Sequence, residues 1–92
     1  MIRSVRDPEA EKLFRDEFSK KYKAIERTAQ RKLTMLDEAE NLLDLALLPG
    51  PRLETLQRDR KGQHSIRIND QYRIWFTWAD GNADDVEIAD YH

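Results

Sequence analysis

The chain has 92 residues, with 16 Lys and Arg against 18 Asp and Glu, a formal net charge of −2 and no cysteine. That length supports one domain, residues 1–92, around one modest core, and the lack of cysteine excludes disulfide staples, a thiolate nucleophile and Cys-based zinc. The longest apolar run, Leu45-Ala46-Leu47-Leu48, falls far short of the ~20 residues of a membrane span, and Met1 to Arg6 lacks the apolar stretch of a signal peptide, so a cytoplasmic protein with no membrane contact is expected.

Ile2 to Val5 alternates apolar and polar residues and predicts a short strand. Asp7-Pro8-Glu9 reads as a helix start: Asp7 caps free amides, Pro8 fits the first helical position and Glu9 complements the positive end of the dipole. Ala10, Leu13, Phe14 and Phe18 continue that helix as one apolar stripe, and Ser19 to Lys23 breaks it. Ile25, Ala29, Leu33, Leu36, Ala39, Leu43 and Leu47 recur at three- and four-residue steps with no Gly or Pro between them. They predict one amphipathic helix of roughly six turns, widened by Met35 and Leu42 and ended by Pro49-Gly50-Pro51.

Beyond residue 52 the period becomes two. Leu53 to Leu56 offers a short optional strand, Ser65 to Ile68 a second, and Asn69-Asp70-Gln71 a tight turn. In Tyr72 to Trp78 the even-numbered Tyr72, Ile74, Phe76 and Trp78 share one face, with Arg73, Trp75 and Thr77 on the other. One of the two tryptophans belongs to the core, and the other is left to stack on a base or to face a protein partner. Asp80-Gly81-Asn82 is a second turn, and Asp85 to Tyr91 the last strand. The order β-α-α followed by a three- or four-stranded antiparallel meander is an α+β fold with helices on one face of the sheet.

Charge is unevenly laid out. Residues 52–73 carry Arg52, Arg58, Arg60, Lys61, Arg67 and Arg73 against three acids, whereas residues 80–90 carry five acids and no base. A polyanion would therefore meet the local basic stretch rather than the whole molecule. There is no phosphate-cradling Gly-rich loop, no His-Glu-x-x-His and no calcium loop. Two histidines, His64 and His92, are too few for a metal site by themselves, so neither metal nor cofactor is expected; an Asp90–His92 pair is the one arrangement that leaves a metal open. His64, at the start of a strand and after the basic loop, reads as structural or surface rather than catalytic.

The basic stretch, Arg73 in mid-strand and the terminal Asp90-Tyr91-His92 fit one chemistry together. RNA is cut without metal when its own 2′-oxygen attacks the adjacent phosphate, provided the 2′-proton is removed, the leaving 5′-oxygen is protonated and the phosphorane charge is neutralised. His transfers protons near neutral pH, Tyr donates a hydrogen bond, Asp orients the His, and Arg presents a forked donor to phosphate.

The same residues carry a family likeness. The β-α-α-β-β-β order, Asp59-Arg60-Lys61-Gly62-Gln63-His64-Ser65-Ile66-Arg67-Ile68, Gln71-Tyr72-Arg73-Ile74-Trp75-Phe76 and the terminal Asp90-Tyr91-His92 resemble a HigB toxin of the RelE/ParE toxin–antitoxin superfamily, over essentially the whole chain. The resemblance implies a ribosome-dependent mRNA endonuclease, neutralised by a helix-turn-helix antitoxin of the HigA type and touching operator DNA only through it. It implies Arg73 as the arginine that holds the scissile phosphate and Asp90, Tyr91 and His92 as the catalytic terminus. Arg58, Arg60, Lys61 and Arg67 are the candidate contacts to ribosomal and messenger RNA phosphates, which position without specifying. Two positions depart from the pattern: Glu54 stands where relatives carry a catalytic His, and Gln57 where Lys is frequent. Either cleavage is weakened, or Glu54 itself serves as general base. Two other roles fit the fold: a non-enzymatic inhibitor binding a target such as gyrase, and a weakened toxin acting mainly as co-repressor with its antitoxin.

Overall fold

A computed structural model describes residues 1–47, 53–56 and 63–90, with residues 46–47 and 53–56 described by backbone alone. Helix α1 (Pro8–Phe14) starts as its sequence dictates: Asp7 Oδ1 accepts the Glu9 N–H at 3.0 Å, Pro8 occupies the first turn, and Ala10 and Leu13 are buried. The helix is shorter than its apolar stripe. Asp16 adopts φ +61°, which turns the chain before residue 18, so Phe18 is 61% exposed instead of joining the core, and Ser19 is buried in its place.

A 3-10 turn at Lys23–Ile25 leads into α2 (Glu26–Glu38), and a separate α3 covers Leu42–Leu47. The predicted six-turn helix is thus two helices. Ala39 leaves helical space at ψ 132°, and the next helix begins with a reciprocal cap: Asn41 Oδ1 accepts the Asp44 N–H at 3.1 Å while Asp44 Oδ2 accepts the Asn41 N–H at 3.2 Å and the Glu40 N–H at 3.0 Å. Such a box satisfies amides a through-going helix would not leave orphaned, and typically contributes about 1 kcal/mol. The break re-aims the stripe: Ala29, Leu33, Leu36, Ala39 and Leu45 are buried, but Leu43 is 63% exposed. The terminator Pro49-Gly50-Pro51 lies outside the described residues.

The sheet is an antiparallel meander in the order β1 (Leu53–Leu56), β2 (Gln63–Arg67), β3 (Tyr72–Ala79), β4 (Asn82–Asp90), so the optional fourth strand is present. Asn69 Oδ1 accepts both the Gln71 and Tyr72 N–H groups at 2.8 Å and builds the first turn. Asp80 and Gly81, at φ +54° and +75°, form a two-residue hairpin between paired Ala79 and Asn82, the geometry for which Asp-Gly is favoured. Between Trp75/Glu87 and Thr77/Asp84 the register slips, with Asp85 at φ +52°. This bulge flips the alternation of β4: Ala83 before it and Val86 and Ile88 after it all face the helices. The N-terminal segment is not a full strand. It lies parallel beside β4 and pairs at only two bridges, Ile2 with Ala83 and Val5 with Val86, because the bulge between these contacts interrupts a continuous ladder.

Ile66, Ile74 and Ile88 form one cross-strand row under the helices, and His64 opposite Phe76 forms the next. Tyr22 locks the helices to the far end of β4. Its hydroxyl lies 3.1 Å from both Ile88 O and Asp7 Oδ2, which share its one proton, and its ring meets Tyr72 edge-on at 5.8 Å. Burial first, and the Asp7 carboxylate second, push its phenol well above the ordinary range. Among the described residues no helix is long and apolar enough to cross a membrane.

Candidate active site

Strand β3 divides its side chains as its alternation predicts. Ile74 and Phe76 are fully buried beneath the helices with Tyr72 and Trp78 packed on the same cluster, and Trp78 meets Phe76 edge-on at 6.3 Å. Trp78 is therefore the core tryptophan. Arg73, Trp75 and Thr77 occupy the face away from the helices, where Trp75 is half-buried.

On that face Arg73 is only 8% exposed, and its Nη1 donates to Ser65 Oγ at 3.3 Å. Cross-strand register aligns Arg73 with Arg67 on β2 and Ala89 on β4, and the neighbouring row runs Glu54, Ser65, Trp75, Glu87. Two arginines directly opposite one another on one face repel, a destabilising pairing. Asp70 offsets the repulsion through an ion pair to Arg67. A buried guanidinium beside a second cation and an indole is an arrangement suited to an anion: the planar fork matches phosphate oxygens, and the ring offers a face to an unstacked base.

The expected site residues are distributed unevenly. Arg73 and Arg67 share the outer face, and the backbone of Glu54 lies in register beside Ser65, one row from Arg73. Asp90 has a different position. It pairs with Tyr72, on the helix side of the sheet, and accepts the Gln71 Nε2 hydrogen bond at 3.0 Å. Period two already places Asp90 with Val86 and Ile88, a signal that sequence reasoning passed over. Arg58, Arg60, Lys61, Tyr91 and His92, together with Gln57, lie outside the described residues. Sequence reasoning also missed Ser65, whose hydroxyl orients the arginine; pairing Ser65-Ile66-Arg67 against Tyr72 to Trp75 would have found it.

His64 is structural in its placement. It is buried and stacked on Phe76 at 5.7 Å, and burial pushes its imidazole below the ordinary range. Among the described residues no group of three or more His, Asp or Glu is placed to hold a metal ion.

Comparison with known proteins agrees with this architecture. Residues 3–92 match the family model described as RelE-like toxin of type II toxin-antitoxin system HigB. A Vibrio cholerae serotype O1 protein, Toxin HigB-1, is 48% identical over 60 residues, covering 65% of this chain and 63% of that protein. An uncharacterised Haemophilus influenzae protein is 33% identical over 58 residues, covering 63% of this chain and 57% of its own length. The alignments thus span less than two thirds of either relative. In fold, the chain resembles Staphylococcus aureus YoeB in the YoeB-YefM complex (TM-score 0.61, 21% identity, covering 100% of this chain and 98% of that one) and in the YoeB dimer (TM-score 0.59, 22% identity, covering 99% and 97%). With its α+β architecture and a family match over all but two of its residues, the chain belongs to the HigB-like group of RelE-like toxins of type II toxin–antitoxin systems.

Proposed function

We propose that residues 1–92 act as one toxin domain, a cytoplasmic endoribonuclease that cuts messenger RNA on the ribosome without metal and is neutralised by a HigA-type antitoxin. The observation that supports this reading is Arg73: a buried, Ser65-oriented arginine opposite Arg67 and two residues from the Trp75 indole, on the face of β3 opposite the one that carries Ile74 and Phe76. Strands are more rigid supports than loops, so the phosphate ligand would sit where its geometry is best held.

In this mechanism the 2′-hydroxyl of the messenger loses its proton to a base and its oxygen bonds to the adjacent phosphorus. The P–O5′ bond then breaks, the 5′-oxygen takes a proton, and a 2′,3′-cyclic phosphate and a 5′-hydroxyl remain. Arg73 neutralises the phosphorane oxygens. His92 is the principal proton-transfer group and Tyr91 assists it. Asp90, tied to Gln71, anchors the end of β4 from which these two residues continue. Glu54, in register beside Ser65, is the candidate second base. Arg67, with Arg58, Arg60 and Lys61, contacts RNA phosphates. Trp75 stacks on a base next to the scissile linkage.

The placement of Asp90 across the sheet from Arg73 favours one rival, a weakened toxin acting mainly as co-repressor with its antitoxin. Mapping transcript 5′ ends after brief induction tests both readings. New 5′-hydroxyl ends within translated codons are expected; growth arrest or operator repression without such ends overturns the nuclease.

A further inference from the structure

Directly opposite Trp75 across the β3–β4 pair stands Glu87. Val86 and Ile88 turn toward the helices, so Glu87 between them shares the face of Arg73 and Trp75. Cross-strand partners hold their Cβ atoms about 5 Å apart, and both residues are half-buried, which leaves part of each side chain open. Two polar neighbours of the indole are already engaged: Ser65, its partner on β2, is bonded to Arg73, and the Thr77 hydroxyl donates to Asp84 O at 3.2 Å. Ala89, beside Arg73 on β4, brings no polar side chain, and Glu54 lies two strands away in the same row, about 10 Å from Trp75. The Glu87 carboxylate, by contrast, makes neither a hydrogen bond nor an ion pair among the described residues.

An ionised carboxylate offers acceptors only. On a surface that takes RNA it repels the phosphates, so the partner that suits it is a base edge that donates. An unstacked base exposes its Watson–Crick edge. Guanine presents N1–H and N2–H there side by side, the same two-donor fork that arginine shows to a carboxylate. Adenine and cytosine set one amino group next to a ring-nitrogen acceptor, and uracil sets a single N–H between two carbonyls, so each of them turns an acceptor toward a carboxylate oxygen. The spacing agrees with one nucleotide: Trp75 is two residues from Arg73 along β3, about 7 Å, comparable to the separation of a nucleotide's phosphate from its base.

We infer that Trp75 and Glu87 form a base-reading pair that selects guanine next to the scissile phosphate. The indole stacks on the ring, and the carboxylate accepts N1–H and N2–H. The inference rests on the endoribonuclease reading, in which Arg73 holds the phosphate, and it adds to that reading the residue that sets the base.

The test uses the full chain and 70S ribosomes carrying messengers in which each base of the codon in the decoding site is varied in turn. The readout is the ratio of kcat/KM among the four bases at each position, which a merely destabilised variant leaves unchanged. Wild type should favour guanine at one position by about 5- to 150-fold, the worth of one bidentate pair. Glu87→Ala should level the four bases there. Glu87→Gln should move the optimum to adenine, because an amide matches one donor and one acceptor to that base. No guanine preference in wild type, or a preference that survives both substitutions, overturns the pair. Quenching of indole fluorescence by guanosine 3′-monophosphate, against the adenosine, cytidine and uridine nucleotides, is measured without ribosomes, and Trp75→Phe should abolish it, since Trp78 belongs to the core. If wild type cuts no messenger but the guanosine nucleotide still quenches best in a Glu87-dependent way, the nuclease reading falls and the pair stands. No cleavage and no such quenching removes both, whereas cleavage without Glu87-dependent selectivity removes the pair alone.

Discussion

Replacing Arg73 by glutamine tests the core of the proposed chemistry. Arg73 as a whole is 8% exposed, so its guanidinium acts through a medium far less polarisable than water. At an effective dielectric constant of about 20, unit charges about 4 Å apart attract by about 4 kcal/mol. If most of that interaction is realised only as charge develops on the phosphorane, its loss corresponds to about a thousandfold in rate. Arg73→Gln should therefore lower single-turnover cleavage of ribosome-bound messenger by roughly 10²–10³-fold, and Arg73→Lys should recover part of it, keeping the charge but not the fork. The assay is primer extension at a defined codon with toxin in excess over ribosomes, so that chemistry rather than binding sets the rate. Thermal unfolding of both variants separates loss of the anion site from loss of the fold. A folded Arg73→Gln chain cutting at the wild-type rate refutes the assignment.

Four further outcomes are expected. His92→Gln should lower cleavage roughly 10²–10⁴-fold without weakening ribosome binding, if His92 is the proton carrier; equal rates by primer extension exclude it. Trp75→Ala should raise KM by about 5- to 150-fold with kcat little changed, the cost of one lost base stack of about 1–3 kcal/mol, and Trp75→Phe should restore much of the loss. Because burial depresses the His64 imidazole, the unfolded chain binds the proton first as pH falls, so stability is full above about pH 6.5 and declines below it by at most about 1.4 kcal/mol per unit. His64→Gln should flatten that decline in urea titrations between pH 5 and 7. Tyr22→Phe leaves Asp7 and Ile88 O without the phenolic donor and should cost about 1–3 kcal/mol in denaturant midpoint, and a midpoint within error of wild type would deny the clamp.

Local chemistry was legible wherever one or two residues decide the backbone. Asp7-Pro8 set a helix start and Asp80-Gly81 a hairpin because a cap and a positive φ are properties of those residues themselves. Periodicity misled where a second local signal competed with it. The apolar stripe from Ile25 to Leu47 continues through Ala39, but Asn41 and Asp44 supply a cap that an unbroken helix cannot use. Phe18 keeps the helical step of Leu13 and Phe14, yet Asp16 has already turned the chain. At Asn41 and Asp44 side chains competed with the backbone ladder and won; at Asp16 it was the left-handed backbone, which Asp tolerates better than most residues, that ended the helix.

The candidate site was legible in composition and not in geometry, for a reason rooted in register. A mid-strand arginine reads as a solvated cation until its cross-strand neighbours are known; here they are Arg67 opposite and Ser65 on the diagonal, and the arginine is buried. For Asp90 the parity was already in the sequence, since Val86 and Ile88 are apolar and share its face. The bulge at Asp85 makes that parity hold only for the second half of β4. Any convergence of the terminal imidazole with Arg73 must then come from the residues after Asp90 rather than from Asp90 itself. That is why Gln71, whose Nε2 holds the Asp90 carboxylate at the last described residue of β4, belongs to the geometry of the proposed site as much as Ser65 does.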